Sequence, residues 1–208
     1  MKLGTRSLLF GAHYPLHAAE VAIAWRWLYG QWPTWREAAA ILVHDVGYFG
    51  CETMDGPDGS CHPELGARIA DRLLGPEYGA LVRGHSQSYA AKLGIPVSRL
   101  CWPDKLSHAL EPVWWYVLRT RFTGEIREYR GVDHGSTPKG AVADAATDHE
   151  WFQTVRARMT WHAIRRALNL ETTQHRCCER ISGDTAYLFD GTRVVRLGDA
   201  LRAQGGNP

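Results

Sequence analysis

The segment "HAAEVAIAWRWLYG" places His17, Val21, Ala24 and Leu28 at intervals of four, three and four, which stacks them on one helical face before Gly30 ends the element. A second helix is predicted in "PTWREAAAILVHD", where Thr34 serves as N-cap and Glu37, three residues on, completes a capping box. Helical spacing resumes in "HPELGARIADRLLG" through Leu65, Ile69 and Leu73. The runs "PEYGALVRGHSQSYAAKLG" and "PVSRLCWPDKLSHALEPVWWYVLRTRF" read as further helices interrupted by Gly94, Pro96 and Pro103. These segments predict an all-α core over residues 1–125. The loop "GYFGCETMDGPDGSC", rich in Gly and Asp, reads as a substrate-side flap whose Asp55 and Asp58 are turn residues. Residues 126–208 read as a small extension: a flexible connection, beginning already in "TGEIREYRGVDHGSTPKGAVADAATD", a helix in "HEWFQTVRARMTWHAIRRALNL", and a β-hairpin formed by two β-prone runs around Asp190 and Gly191.

Composition limits the function classes. With 208 residues and 45% hydrophobic composition, the chain can bury one substantial core. The 24 basic and 22 acidic residues are spread evenly, so no concentrated basic stripe for extended nucleic acid is visible. Five Cys without a C-x-x-C pair argue against a disulfide framework or zinc ribbon and fit a reducing cytosol; Cys177 and Cys178 receive no role. No segment approaches roughly 18 uninterrupted apolar residues and no secretory leader is visible, so a soluble, cytoplasmic protein with no membrane partner is expected. Homo-oligomerisation stays open.

The ten His direct attention to metals. His17, His44, Asp45, His62, His85 and Asp104 each lie in or beside an apolar helical segment, and the fold must bring different helices together to unite them. Any one alone is more simply a satisfied core residue. As a set they offer imidazole nitrogens and carboxylate oxygens suited to iron, manganese, cobalt or zinc, and the adjacent His44 and Asp45 allow one carboxylate to bridge two ions.

The order H…HD…H…H…D carried by these six residues, with "LVHDVG", "HPELGARIADRLL" and "PDKLSHALEP", resembles the HD-domain superfamily of metal-dependent phosphohydrolases in its two-metal version. The likeness spans roughly residues 10 to 120 and implies an HD-type helical bundle. It also implies that His17, His44, Asp45 and Asp104 hold one transition-metal ion, while His62 and His85 hold a second that shares Asp45. The implied activity is hydrolysis of a nucleotide or other small phosphate ester by a metal-activated water, with Asp45 and Lys105 in catalytic roles. Tyr48 stands where many members carry a lysine, so phosphate charge falls to Lys105 or to Arg68, Arg72 and Arg83, although a solvated helix face is the simpler account of the arginines. Trp102, Trp114 and Tyr116 are candidate stacking partners, more simply core residues. The same six-ligand order is found in the superfamily's di-iron oxygenases, similar to inositol oxygenase and the phosphonate-cleaving enzyme, which is the alternative chemistry. A metal-stabilised binding module without catalysis is a third reading. His13 and His108 are candidates for supporting groups, and Glu64 reads as a helix-start carboxylate.

Overall fold

A computed structural model describes residues 1–131 and 147–167, together with two strand segments, Tyr187–Phe189 and Val194–Arg196. The described chain is mainly helical. In order come α1 (Leu3–Phe10), α2 (His17–Tyr29), α3 (Trp35–Val43), short 3-10 turns at Val46–Tyr48 and Gly59–Cys61, α4 (Pro63–Leu73) and α5 (Pro76–Arg83). There follow α6 (Gln87–Leu93), α7 (Cys101–Ser107), α8 (Val113–Thr123), α9 (Glu125–Gly131) and α10 (Asp148–Ala167). The strand segments pair antiparallel with Leu188 opposite Val195; Asp190, Gly191 and the pair Cys177-Cys178 lie outside the described residues.

Local sequence explains the elements nearest the site. Helix α2 buries His17, Val21, Ala24, Trp25 and Leu28, the stripe set by their spacing, and ends on Gly30 in the left-handed conformation that glycine tolerates. Helix α3 begins at the expected capping box: the Glu37 amide donates to Thr34 Oγ1 at 3.3 Å and the Thr34 amide to Glu37 Oε2 at 2.7 Å. Its C-terminus delivers His44 and Asp45 just before the chain tightens into the turn at Val46–Tyr48.

Helix α4 departs from the leucine pattern. Leu65 and Leu73 are exposed, and the buried face consists of Pro63, Gly66, Ala67 and Ala70. Close approach explains the inversion: a Cβ on Gly66 would lie 2.1 Å from the Val43 carbonyl oxygen, and one on Gly47 would lie 1.9 Å from the His62 carbonyl oxygen. Backbone crowding there admits only the smallest residue, and it brings the end of α3 against the start of α4.

Three other expectations change. Pro103 does not interrupt α7 but sits in its first turn, where a missing N–H costs nothing. The loop between the two 3-10 turns is pinned rather than a free flap, because Met54 is buried and the amides of Met54 and Asp55 both donate to Glu128 Oε1 at 2.9 Å. Residues 125–131, expected to belong to the flexible connection, instead form α9. Ile126 and Tyr129 of α9 and Trp151, Phe152 and Val155 of α10 share one apolar cluster with Tyr48 and Val113, so the 125/126 division passes through a common core. Each such large side chain contributes about 1.5–3 kcal/mol by leaving water.

Candidate metal centre

Every proposed ligand sits at or near a helix end, where a side chain can leave the helical packing and face its counterparts. His17 opens α2, His44 and Asp45 follow α3, His62 precedes α4, His85 follows α5 and Asp104 lies in the first turn of α7. All but Asp104 are buried, and Asp104 is partly so.

The fold assembles them into two groups joined by Asp45. His17, His44, Asp45 and Asp104 offer donor atoms within 4.8 Å of one another, and so do Asp45, His62 and His85. Asp45 Oδ2 lies 3.0 Å from His44 Nε2 and 3.5 Å from His17 Nε2, whereas Oδ1 lies 3.5 Å from His62 Nε2 and 3.4 Å from His85 Nε2. Asp104 Oδ1 closes the first group at 3.2 Å from His17 Nε2 and 3.5 Å from His44 Nε2. Donors bound at roughly 2.0–2.2 Å to one tetrahedral or octahedral ion stand about 3 to 3.5 Å from each other. The separations fit that geometry.

Hydrogen bonds behind the rings orient the donors. His44 Nδ1 donates to the Ile41 carbonyl at 2.5 Å, His62 Nδ1 to the Gly59 carbonyl at 2.8 Å and His85 Nδ1 to the Val82 carbonyl at 2.6 Å. A carbonyl only accepts, so each Nδ1 carries a proton and each Nε2 faces inward, with a free lone pair on His62, which is held neutral. Nε2 of His62 and Nε2 of His85 face each other across 3.1 Å, a distance at which a proton or a metal ion must lie between them. His44 Nε2 and Asp45 Oδ2, both buried, face only each other and the remaining donors of the cluster. The buried cluster can therefore hold metal, and the donor set fits iron, manganese, cobalt or zinc.

Electrostatics agree that positive charge is favoured between the carboxylates. Burial works to raise Asp45 and Asp104, yet the neighbouring imidazoles, His44 and His13 for Asp45, His17 and His44 for Asp104, hold both carboxyls well below the usual range. Burial works to lower His44, but Asp45 and Asp104 carry it well above an ordinary histidine. Burial and His85 together push His62 down to about 3, which keeps it neutral and ligand-ready.

Several groups surround the cluster. His13 precedes α2, accepts or donates at Nδ1 with Ser7 Oγ at 2.8 Å, and directs Nε2 to 3.9 Å from Asp45 Oδ2. Its loop is held by Glu125, which accepts from the Ala12 amide at 3.0 Å, and by Arg119, which donates to the Gly11 carbonyl. Tyr48 stacks on His62 at 3.9 Å with an interplanar angle of 12°, and burial with the charge of Asp45 keeps its phenol protonated. Glu20, one turn along α2 from His17, accepts from Tyr14 at 2.6 Å and places Oε2 4.0 Å from His17 Nδ1. His17 is thus the ligand whose rear nitrogen bonds no carbonyl and has a carboxylate nearby, beyond hydrogen-bond distance. The i,i+3 spacing of His17 and Glu20 on a predicted helix was a usable sequence signal for that contact. His108 stacks beside His17 at 5.8 Å with Nδ1 3.7 Å from Glu111 Oε1.

Other sequence candidates fall elsewhere. Arg83 bonds Glu64 and Asp71 and so ties α5 to α4, whereas Arg68 bonds Glu64 within α4. Glu64 also accepts from Tyr89 at 2.9 Å, a busier role than a helix-start charge. Tyr116 stacks on Phe152 at 3.6 Å inside the core, Trp102 packs edge-on to His162, and Trp114 is exposed. Lys105 follows Asp104 on α7; burial opposes its charge, but Cys101, Asp104 and Asp45 outweigh this and hold it above the ordinary lysine value. Asp58 is the turn residue expected, accepting from the Glu52 amide at 2.5 Å. Comparison of the chain with protein-family models, curated proteins and solved structures finds no match.

Proposed function

We propose that the chain is a metal-dependent phosphohydrolase of the HD type, built as an HD-like helical bundle and acting on a nucleotide or other small phosphate ester. The observation that supports this most is the division of Asp45 between two donor groups, Oδ2 toward His17 and His44 and Oδ1 toward His62 and His85. That arrangement suits a pair of ions a few ångströms apart, and such ions, when bound, lower the pKa of a water and neutralise phosphoryl charge.

The protein's own contribution is orientation and charge. Backbone carbonyls fix the His44, His62 and His85 rings, so the donors need no rearrangement when loaded. Lys105, beside Asp104, adds the positive charge that a phosphate ester requires. Tyr48, held protonated against His62, and His13, next to Asp45, supply hydrogen bonds to a substrate oxygen or leaving group. No side chain of this set needs to attack phosphorus.

The test is product analysis by mass spectrometry on a panel of nucleotides and small phosphate esters with manganese or ferrous ion added. Wild type is expected to release phosphate, pyrophosphate or triphosphate, and Asp45→Ala to release none. No hydrolysis by wild type, combined with two retained irons and oxygen-dependent turnover of a phosphonate or polyol, would replace this assignment with the oxygenase chemistry.

A further inference from the structure

The end of the molecule remote from His17 on α2 has a composition the centre does not use. Trp27, Trp32 and Trp35 are 42%, 61% and 70% exposed within nine residues of chain. Arg26 and Arg36, both exposed, flank them. Arg99 joins from the segment before α7: its carbonyl accepts from Tyr29 at 2.7 Å, and its guanidinium lies over the rings of Trp25 and Tyr29. Helix α10 ends at the same place, since Ile164 and Ala167 pack with Leu28 and Tyr29. It adds Arg166, exposed, and Arg165, whose guanidinium sits 5.8 Å from the Trp161 ring. Within residues 26–37, 99 and 161–167 there are five arginines and four tryptophans, against the single acid Glu37, which pairs with Arg99 at 3.3 Å.

We propose that this arginine- and tryptophan-rich end docks onto the surface of an anionic lipid bilayer. Indole rings bury an apolar body while keeping an N–H near water, and guanidinium groups meet lipid phosphates, which is the chemistry of the membrane interface. Ile23, exposed one turn before Trp27 on α2, continues the apolar surface along the helix. Charge selects this occupant over a second copy of the chain, because a twofold contact through this end would set like charges against each other. The aliphatic side of α2 selects it over nucleic acid, which binds basic grooves lined with stacking rings and gains nothing from Ile23. No described helix is long and apolar enough to cross a membrane, so the contact is one of surface docking, which the sequence reading did not expect.

The experiment is flotation of the full-length, metal-loaded chain with vesicles of phosphatidylcholine alone or with about one-third phosphatidylglycerol, at low and at 0.5 M salt. Binding is expected on the anionic vesicles and is expected to weaken with salt. Arg26→Gln and Arg36→Gln should each weaken it roughly fivefold, and Trp32→Ala combined with Trp35→Ala by at least about tenfold. These positions are exposed, so unchanged melting curves will show that the variants remain folded. Absence of flotation, or flotation indifferent to the four substitutions, overturns the proposal. So does tight binding of single-stranded DNA without vesicle binding, or a dimer dispersed by the tryptophan substitutions in the absence of lipid.

Discussion

The two halves of the centre are held in different ways. In the half formed by His62 and His85, both rear nitrogens donate to carbonyls three residues back, so ring orientation follows directly from backbone conformation. In the other half His44 is set likewise, but His17 faces Glu20, whose carboxylate is itself oriented by Tyr14. The first half is fixed by main chain, and the second can be tuned by a side chain. Only Asp45 belongs to both.

The strongest way to break the distinction is to remove the shared residue. Asp45→Ala should leave neither half able to retain metal and should eliminate turnover, whereas His62→Ala should lose one ion and keep the other; metal content after gel filtration separates these outcomes. Next comes Glu20→Ala, which should weaken metal binding about 10–100-fold in the His17 half while leaving the His62 half unchanged, as read by competition with a chelator. A uniform loss from both halves would show that Glu20 serves the whole fold instead. Gly66→Ala should lower stability by about 1–3 kcal/mol in denaturant unfolding, because its new methyl meets the Val43 carbonyl and pushes α3 from α4. That variant should increase metal loss, since the new methyl would also stand 3.2 Å from the His44 carbonyl oxygen and displace His44 and the shared Asp45.

The smallest effect lies far from the centre and tells acid loss of metal from acid loss of fold. Asp148, in the first turn of α10, bonds Arg130 at 2.6 Å and Arg121 at 2.5 Å; burial works against its charge, yet these partners keep the carboxyl below the ordinary value. A depressed carboxyl contributes stability above its unfolded value near 4 and loses it as pH falls through the folded value. Asp148→Asn should therefore cost no more than about 1 kcal/mol at pH 7, with the difference from wild type shrinking below about pH 4 in thermal melts.

Much of the centre was legible in the sequence. Donor chemistry belongs to residue type, and the adjacency of His44 and Asp45 with His17, His62, His85 and Asp104 marked the six residues that the fold gathers. The groups around them were harder to read. His13 lies outside a helix, so no periodicity aims it, and the stacking of Tyr48 on His62 joins residues fourteen apart through a turn with no regular repeat. The pinned loop was hidden for the same reason: its anchor, Glu128, is more than seventy residues away.

The sequence by itself determined α2 and α3 with their caps at Gly30 and Thr34, and the inventory of ligands, because spacing and side-chain chemistry are local properties. Tertiary structure alone decided that α4 buries glycine and alanine while turning Leu65 and Leu73 outward, and that three tryptophans stand in solvent at one end. Apolar character is written into each residue, but burial depends on how near a neighbouring backbone comes, and that distance exists only once the helices have packed.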